Sequence, residues 1–467
     1  MNRDSKLVCL ASLLYFSAVI LHAKSSNLDK PQNESANCCG GAANITLAGE
    51  NKIVRVKKEL YVEHPRPGVG IGVSTWYIGP GLERVETQTV MWRSDEPMEP
   101  VIRYSKDNGR TWSGFETTPP IVTFRDKYNI YWGGGQQFYD PVSKLHFSIW
   151  LRQTIFKKPL YYYNQSFWRI SDDNTRTWSE PKMLKYEEGA DFDPCNPLNH
   201  DYLRNNQMYQ GNNIIRHSNG TCLTAGTSMN IPKDAPDPDP ERKYAGFGSP
   251  AGARNIGSAC LIGRWDEKNH QYQWQCGQRV WVPKSVSCIG LEEGEVAELA
   301  DGRILVVWRG SDTPVTAGRK WFSTSNDGGM TLSEVQELKY DDGSRFYSPS
   351  SFHRMIRHSI TGKLYWLGNI CQNPPAANHP RYPLIIAEVD EAIPALKRST
   401  VTIIDDRRPQ DSKFLQLSNF SLIENRETHN LEIYLTRLGA GATHDENTFN
   451  YPDFWQSDCY KYTLSFD

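Results

Sequence analysis

Ser105-Lys106-Asp107-Asn108-Gly109-Arg110-Thr111-Trp112 is the stretch on which the fold of this chain turns. The octet returns twice in altered form. Ser171-Asp172-Asp173-Asn174-Thr175-Arg176-Thr177-Trp178 has Thr175 where the first copy has Gly109. Ser325-Asn326-Asp327-Gly328-Gly329-Met330-Thr331-Leu332 has Leu332 where the first copy has Trp112. Each copy reads as a hairpin tip. Short Asp and Ser side chains accept bonds from backbone N–H groups, Gly supplies a positive φ, and the Trp anchors the returning strand. The copies start 66 and then 154 residues apart, a spacing that fits one tip per repeated unit with some units unmarked.

These octets resemble the Asp box, the hairpin signature of sialidases and related β-propellers. The resemblance implies an all-β chain, a six-bladed β-propeller of sialidase type with four strands per blade. Its Asp-box hairpins would lie at exterior tips on one face, with substrate held at the central mouth. Composition agrees: 14 Trp, 23 Tyr, 17 Phe, 35 Gly and 28 Pro, with no long helical periodicity, describe many short strands and turns. Strand-like runs such as Ile304–Trp308, Leu364–Leu367 and Leu431–Leu435 are punctuated by Asp301-Gly302, Thr361-Gly362 and Asn219-Gly220 turns.

Residues 1–23 read as a secretory signal, with Arg3 and Lys6 ahead of an apolar run from Leu7 to Leu21 and Ala23 before Lys24. The run is short for a membrane span, and no later segment approaches the ~18 apolar residues one needs. Residues 24–52, rich in Ser, Asn, Gly and Ala, read as a flexible leader. Residues 53–467 form the propeller, with no composition break inside it. Secretion to the extracellular space is the expectation. Of 10 Cys, Cys9 leaves with the signal, so an odd number remains and at least one is free or pairs between chains. Adjacent Cys38 and Cys39 are the candidates for a disulfide-linked oligomer, and the others are expected as disulfides and buried thiols. Sequons stand at Asn33, Asn44, Asn164, Asn219 and Asn419. A net charge of −2 excludes the basic footprint of a nucleic-acid partner. No CxxC or HExxH spacing occurs, so neither a metal nor another cofactor is expected.

The candidate site rests on the resemblance, taken position by position. Glu293-Gly294-Glu295-Val296-Ala297-Glu298-Leu299-Ala300-Asp301-Gly302, running on to Arg309, is similar to a sialidase stretch. There a Glu precedes a Val-x-Glu-Leu-x-Asp-Gly hairpin that ends in an Arg. On that match Glu293 stands for the Glu that polarises the nucleophile and Arg309 for the second of three carboxylate-gripping arginines. Residues two apart on a strand face one way, so adjacent strand ends can offer a carboxylate and a guanidinium to one cavity. The run from Leu364 to Asn369, followed by Arg381 between Pro380 and Pro383, looks like the approach to the third arginine. Where the nucleophilic Tyr belongs, the segment from Gln416 to Leu422 offers Asn419, and an amide cannot act as that nucleophile. Tyr347 falls too early, before Arg381, yet is the nearest phenol. Arg93 and Asp95 are the nearest substitutes for the first arginine and the acid/base Asp.

Other groups have structural readings beside functional ones. Carboxylates and phenols of Tyr186–Asp193 and Asn199–Tyr202 could serve acid/base chemistry, against a hydrogen-bonded loop of solvated acids. His353 and His358 are expected on the exterior. Gly133–Gly135 is expected to let one backbone pass close to another or to a sugar. The acidic loop 232–241 is expected to be stiff and exposed. The resulting expectation is an exo-acting glycoside hydrolase of the sialidase-like superfamily, acting on a terminal acidic sugar without the usual tyrosine nucleophile. The alternatives are a non-catalytic glycan-binding or extracellular-matrix propeller and a uronate-type polysaccharide lyase.

Overall fold

The computed structural model describes residues 52–93, 100–118, 122–157, 160–209, 211–230, 255–445 and 447–466. The signal, the leader up to residue 51, Cys38, Cys39, Asn33, Asn44, Asp95 and the 232–241 loop lie outside the described residues. Among the described residues no helix is long and apolar enough to cross a membrane.

Six antiparallel sheets follow one another along the chain as the blades of a β-propeller. Blade 1 comprises Gly70–Tyr77, Arg84–Met91, Pro100–Ser105 and Glu116–Thr117. Blade 2 is built on three long strands, Tyr128–Asp140, Leu145–Lys157 and Leu160–Ser171. Blade 3 opens on a broken strand, Met208–Tyr209 and Ile215–Arg216, both pieces pairing with Cys222–Asn230. Blade 4 comprises Glu292–Glu298, Ile304–Arg309, Lys320–Ser325 and Gln336–Glu337. Blade 5 carries Arg354–Arg357, Leu364–Asn369 and Leu384–Asp390, and blade 6 carries Ser421–Glu424, Leu431–Thr436 and Cys459–Ser465. The ring closes when the N-terminal strand Arg55–Val62 pairs with Cys459–Ser465 at the edge of blade 6.

Blade strands are apolar on both faces because each blade is sandwiched between two others. In Ile304–Arg309 the period of two divides the run: Ile304, Val306 and Trp308 pack with blade 3 residues such as Leu223 and Ile262, while Leu305 and Val307 pack with blade 5 residues such as Trp366. The next blade repeats this, with Leu364 and Trp366 facing blade 4 and Tyr365 and Leu367 facing blade 6.

The octets follow the third strands of blades 1, 2 and 4 and share one geometry. Ser105 Oγ accepts the Gly109 N–H at 2.8 Å, Asp107 Oδ1 accepts the Thr111 N–H at 2.8 Å, and the Thr111 hydroxyl donates to Asp107 Oδ2 at 2.6 Å. Ser171, Asp173 and Thr177 make the same bonds, as do Ser325, Asp327 and Thr331. The fifth position needs a left-handed backbone: φ is 82° at Gly109 and 95° at Gly329, and Thr175 holds 67° without the freedom of glycine.

Three expectations are corrected. The seven described cysteines are all free. Cys222, Cys260 and Cys459 are buried in different interblade layers, so none of these three meets another, and burial raises their thiols to about 12. His353 and His358 are interior, not exterior: His353 is fully buried and stacked on Trp366, and His358 Nε2 lies 2.6 Å from the His429 carbonyl. Asn164 is no glycan acceptor in the folded chain, since its side chain is fully buried and accepts a bond from Gln153 Nε2 at 2.8 Å. Asn219 is exposed. Gly135 does mark a close passage, because a Cβ there would meet Ile149 O at 2.6 Å.

Candidate active site

Blade 4 defines two ends of the molecule. At one end Ile304 pairs with Ser325, the first residue of an octet; at the other, Glu292 pairs with Arg309 and Arg309 with Lys320. The charged cluster and the octets therefore occupy opposite ends of the blade.

Glu293 is held on a bulge between Glu292 and Glu295, with φ at 47°. The bulge removes ladder partners, and blade 3 replaces them. Thr227 Oγ1 accepts the Glu293 N–H at 3.0 Å, and Asn212 Nδ2 donates to the Glu293 carbonyl at 2.8 Å. Asn213 makes a two-way clasp on Val296, at 2.8 and 2.9 Å. Gly294 has to be glycine: a Cβ would lie 2.7 Å from Ala225 Cβ and 3.0 Å from the Trp308 ring. Asn212 and Asn213, which break the first strand of blade 3, carry no motif; a Gly-Asn-Asn interruption of an apolar run was the available signal.

Arg309, at the end of its strand, is buried at 2% exposure, with Nη1 2.8 Å from Glu293 Oε2 and Nε 4.0 Å from Glu292 Oε2. Nε also donates to Ser350 Oγ at 2.8 Å, and Nη2 to Asn378 Oδ1 at 3.3 Å. Burial alone would lower this guanidinium, but Glu293 and Glu292 overcome it and hold it above its ordinary value. Arg381, from the loop entering the third strand of blade 5, is equally buried. Its Nη2 donates to the Ser350 carbonyl at 3.1 Å and its Nη1 to Gln416 Oε1 at 3.1 Å. Its backbone is fixed by Asn369, whose buried Nδ2 reaches the carbonyls of Arg381, Pro383 and Leu417 at 3.0–3.1 Å. Ser350 thus joins two guanidinium groups from neighbouring blades.

Three further groups were not singled out by sequence. Glu292 is fully buried, its carboxyl oxygens have no hydrogen-bond partner among the described residues, and burial pushes it up to about 8 against the pull of Arg309. Lys320 is fully buried among the cations, and burial with Arg309 nearby holds it well below the usual lysine range. Tyr209 is buried, opposite Thr227 on the adjacent strand, and its phenol acts electrostatically on Arg309.

The remaining sequence candidates separate. Asn419 is half-buried with φ at 61°; its Oδ1 accepts the Ser418 hydroxyl at 2.6 Å, and Ser418 Oγ is 3.4 Å from Arg381 Nη1. Tyr347 bridges Cys371 through its backbone, and its ring lies under Arg319, 4.4 Å away. No contact joins that ring to the two arginines among those described. Arg93 is exposed just past the second strand of blade 1, and Asp95 lies outside the described residues. In the Tyr186–Tyr202 loop three of the acids serve the backbone. Glu187 accepts the Asn206 N–H, Asp193 the Cys195 N–H and Asp201 the Ala190 N–H, so this loop reads as structural. No group of three or more potential metal ligands occurs among the described residues.

No protein-family profile and no curated protein sequence matches the chain. Solved structures do. A protein of unknown function from Dyadobacter fermentans superposes with a TM-score of 0.56 at 12% identity, covering 88% of this chain and 99% of that one. The NanB sialidase of Streptococcus pneumoniae superposes with TM-scores of 0.51 and 0.53 in two complexes, each at 12% identity and covering 84% of this chain and 67% of that one. At these identities the likeness is one of fold. The chain is a six-bladed β-propeller of the sialidase type.

Proposed function

We propose that the protein is a secreted, exo-acting glycoside hydrolase of sialidase-like character that seats the carboxylate of a terminal acidic sugar against Arg309 and Arg381. The observation that carries this reading is their convergence on Ser350, with Glu293 2.8 Å from Arg309. Arg forks match a carboxylate bidentately, as Lys cannot. Glu293 is the acid/base group, placed where a proton is to be moved. Asn419 supplies no nucleophile, so water attacks the anomeric carbon directly as the glycosidic C–O bond breaks. Glu293 takes the proton of the attacking water, the departing aglycone oxygen takes a proton from solvent and leaves as the alcohol, and no tyrosyl adduct forms. The sialidase activity of the pneumococcal structural neighbour is compatible with an acidic sugar.

Asn419 also favours a second reading, a glycan-binding propeller without turnover or a lyase that needs only a base beside a uronate. Fluorogenic sialosides, glucuronides and iduronides, together with ultraviolet detection of an unsaturated uronate, separate these. The expected result is hydrolysis of one acidic glycoside, reduced about a hundredfold or more in Glu293→Gln. Unchanged turnover in that variant removes Glu293 from the mechanism. Tight binding of an acidic glycan with no turnover selects the second reading.

A further inference from the structure

We propose that Lys320 is a positioning residue of the acidic-sugar site, holding Pro349–Ser351 so that Ser350 presents its hydroxyl to Arg309 and its carbonyl to Arg381. The inference rests on the reading of those two arginines as a carboxylate clamp. Lys320 begins the third strand of blade 4 directly opposite Arg309, so both side chains leave the sheet on the same face. Its Nζ donates to the Pro349 carbonyl at 3.2 Å and the Ser351 carbonyl at 2.5 Å. Those two carbonyls bracket Ser350, whose Oγ accepts from Arg309 Nε at 2.8 Å and whose carbonyl accepts from Arg381 Nη2 at 3.1 Å. One buried amine therefore sets the residue that sets the spacing of two guanidinium forks.

Stability alone does not account for an amine here. An apolar side chain of similar length avoids the desolvation cost of a buried amino group. What the amine adds is two directed bonds to the main chain around Ser350. Its charge state suits the same task. Burial and Arg309 favour the neutral form, which keeps two N–H donors for two carbonyls and adds no third positive charge. With Glu292 protonated below about 8, Glu293 offsets one of the two arginines and leaves one positive charge for one carboxylate.

The test uses the purified full chain and measures binding of N-acetylneuraminic acid, D-glucuronic acid and D-galacturonic acid, each beside its methyl ester. Lys320→Met and Ser350→Ala are compared with wild type, with Arg381→Ala as the clamp control and exposed Lys363→Met as the neutral control. Wild type is expected to prefer an acid over its ester. Lys320→Met, with an unchanged circular dichroism spectrum and a cooperative melt, is expected to lose that preference by about tenfold or more while binding the ester as wild type does. Ser350→Ala is expected to do the same, and it decides the matter if Lys320→Met does not fold. A folded Lys320→Met or a Ser350→Ala with wild-type acid preference overturns the inference; if Arg381→Ala still abolishes it, the clamp stands. Wild type that binds none of the acids overturns the clamp and the inference together.

Discussion

Glu292 and Glu293 are chain neighbours in opposite circumstances. Glu293 is ion-paired to Arg309, whereas Glu292 is fully buried, has no hydrogen-bond partner for either oxygen among the described residues, and is pushed up to about 8 by burial. A carboxyl raised from 4.5 to about 8 binds a proton in the folded chain that the unfolded chain has already released. Its contribution to stability is complete below the unfolded value and is lost as pH rises toward the folded one. Wild type is therefore expected to fall in melting temperature between about pH 5 and pH 8, and Glu292→Gln to flatten that fall, read by thermal melts across pH. A variant with the wild-type slope removes Glu292 as its source. Asn419 poses a different residue-scale question. Its φ of 61° is one that Asn tolerates and most side chains do not. Asn419→Ala is expected to cost about 1 kcal/mol in urea denaturation and Asn419→Gly much less; equal losses would mean that the side-chain bond to Ser418, not the backbone, matters there.

At the scale of the element, the second strand of blade 4 shows how a propeller strand earns its apolar run. Trp308 is fully buried toward blade 3 and Val307 toward blade 5, so neither face has a solvent side. Trp308→Ala is expected to cost about 3–5 kcal/mol by chemical denaturation, since the cavity has rigid walls on every side. A loss below about 1 kcal/mol would mean that the blades slide to fill the space. The octet of blade 2 is under strain that the other two avoid, because Thr175 holds φ at 67° where Gly109 and Gly329 serve elsewhere. Thr175→Gly is expected to raise stability by up to about 1 kcal/mol, the relief of a left-handed β-branched residue set against the entropy of a freer unfolded chain. A lower melting temperature would show that the Thr175 side chain, which is buried, contributes more than its backbone costs.

The whole molecule depends on a closure that pairs residues four hundred positions apart. Arg55 meets Ser465 across the seam strand, and the Arg84 guanidinium, 1% exposed, lies 2.8 Å from Glu432 between blades 1 and 6. Removal of residues 52–62 leaves blade 6 with an open edge and uncovers Tyr462 and Leu464. The shortened chain is expected to lose its single cooperative melt and to self-associate in sedimentation. A truncated monomer that melts as wild type does would show that the seam adds little to closure.

Much of this architecture was legible in the chain, and for a local reason. The octets act through bonds spanning four residues, from Ser105 to Gly109 and from Asp107 to Thr111, so their chemistry is complete within eight positions and survives the loss of Gly at Thr175. Glu293 and Arg309 could be singled out together because one hairpin carries both; its register sets Glu292 opposite Arg309 and leaves Glu293 on the adjoining bulge. Free thiols, interior His353 and buried Asn164 were not readable, since each depends on which neighbouring blade covers a strand face, and alternation alone does not say. The same holds for Ser350, Lys320, Asn212 and Glu292. They belong to different segments that meet only when the blades are stacked, and their chemistry comes from burial and from partners on neighbouring segments. Sequence by itself determined the repeating hairpins and the apolar strand runs between them. Tertiary structure alone decided which charges share a dry site, because desolvation and long-range pairing exist only after the ring has closed.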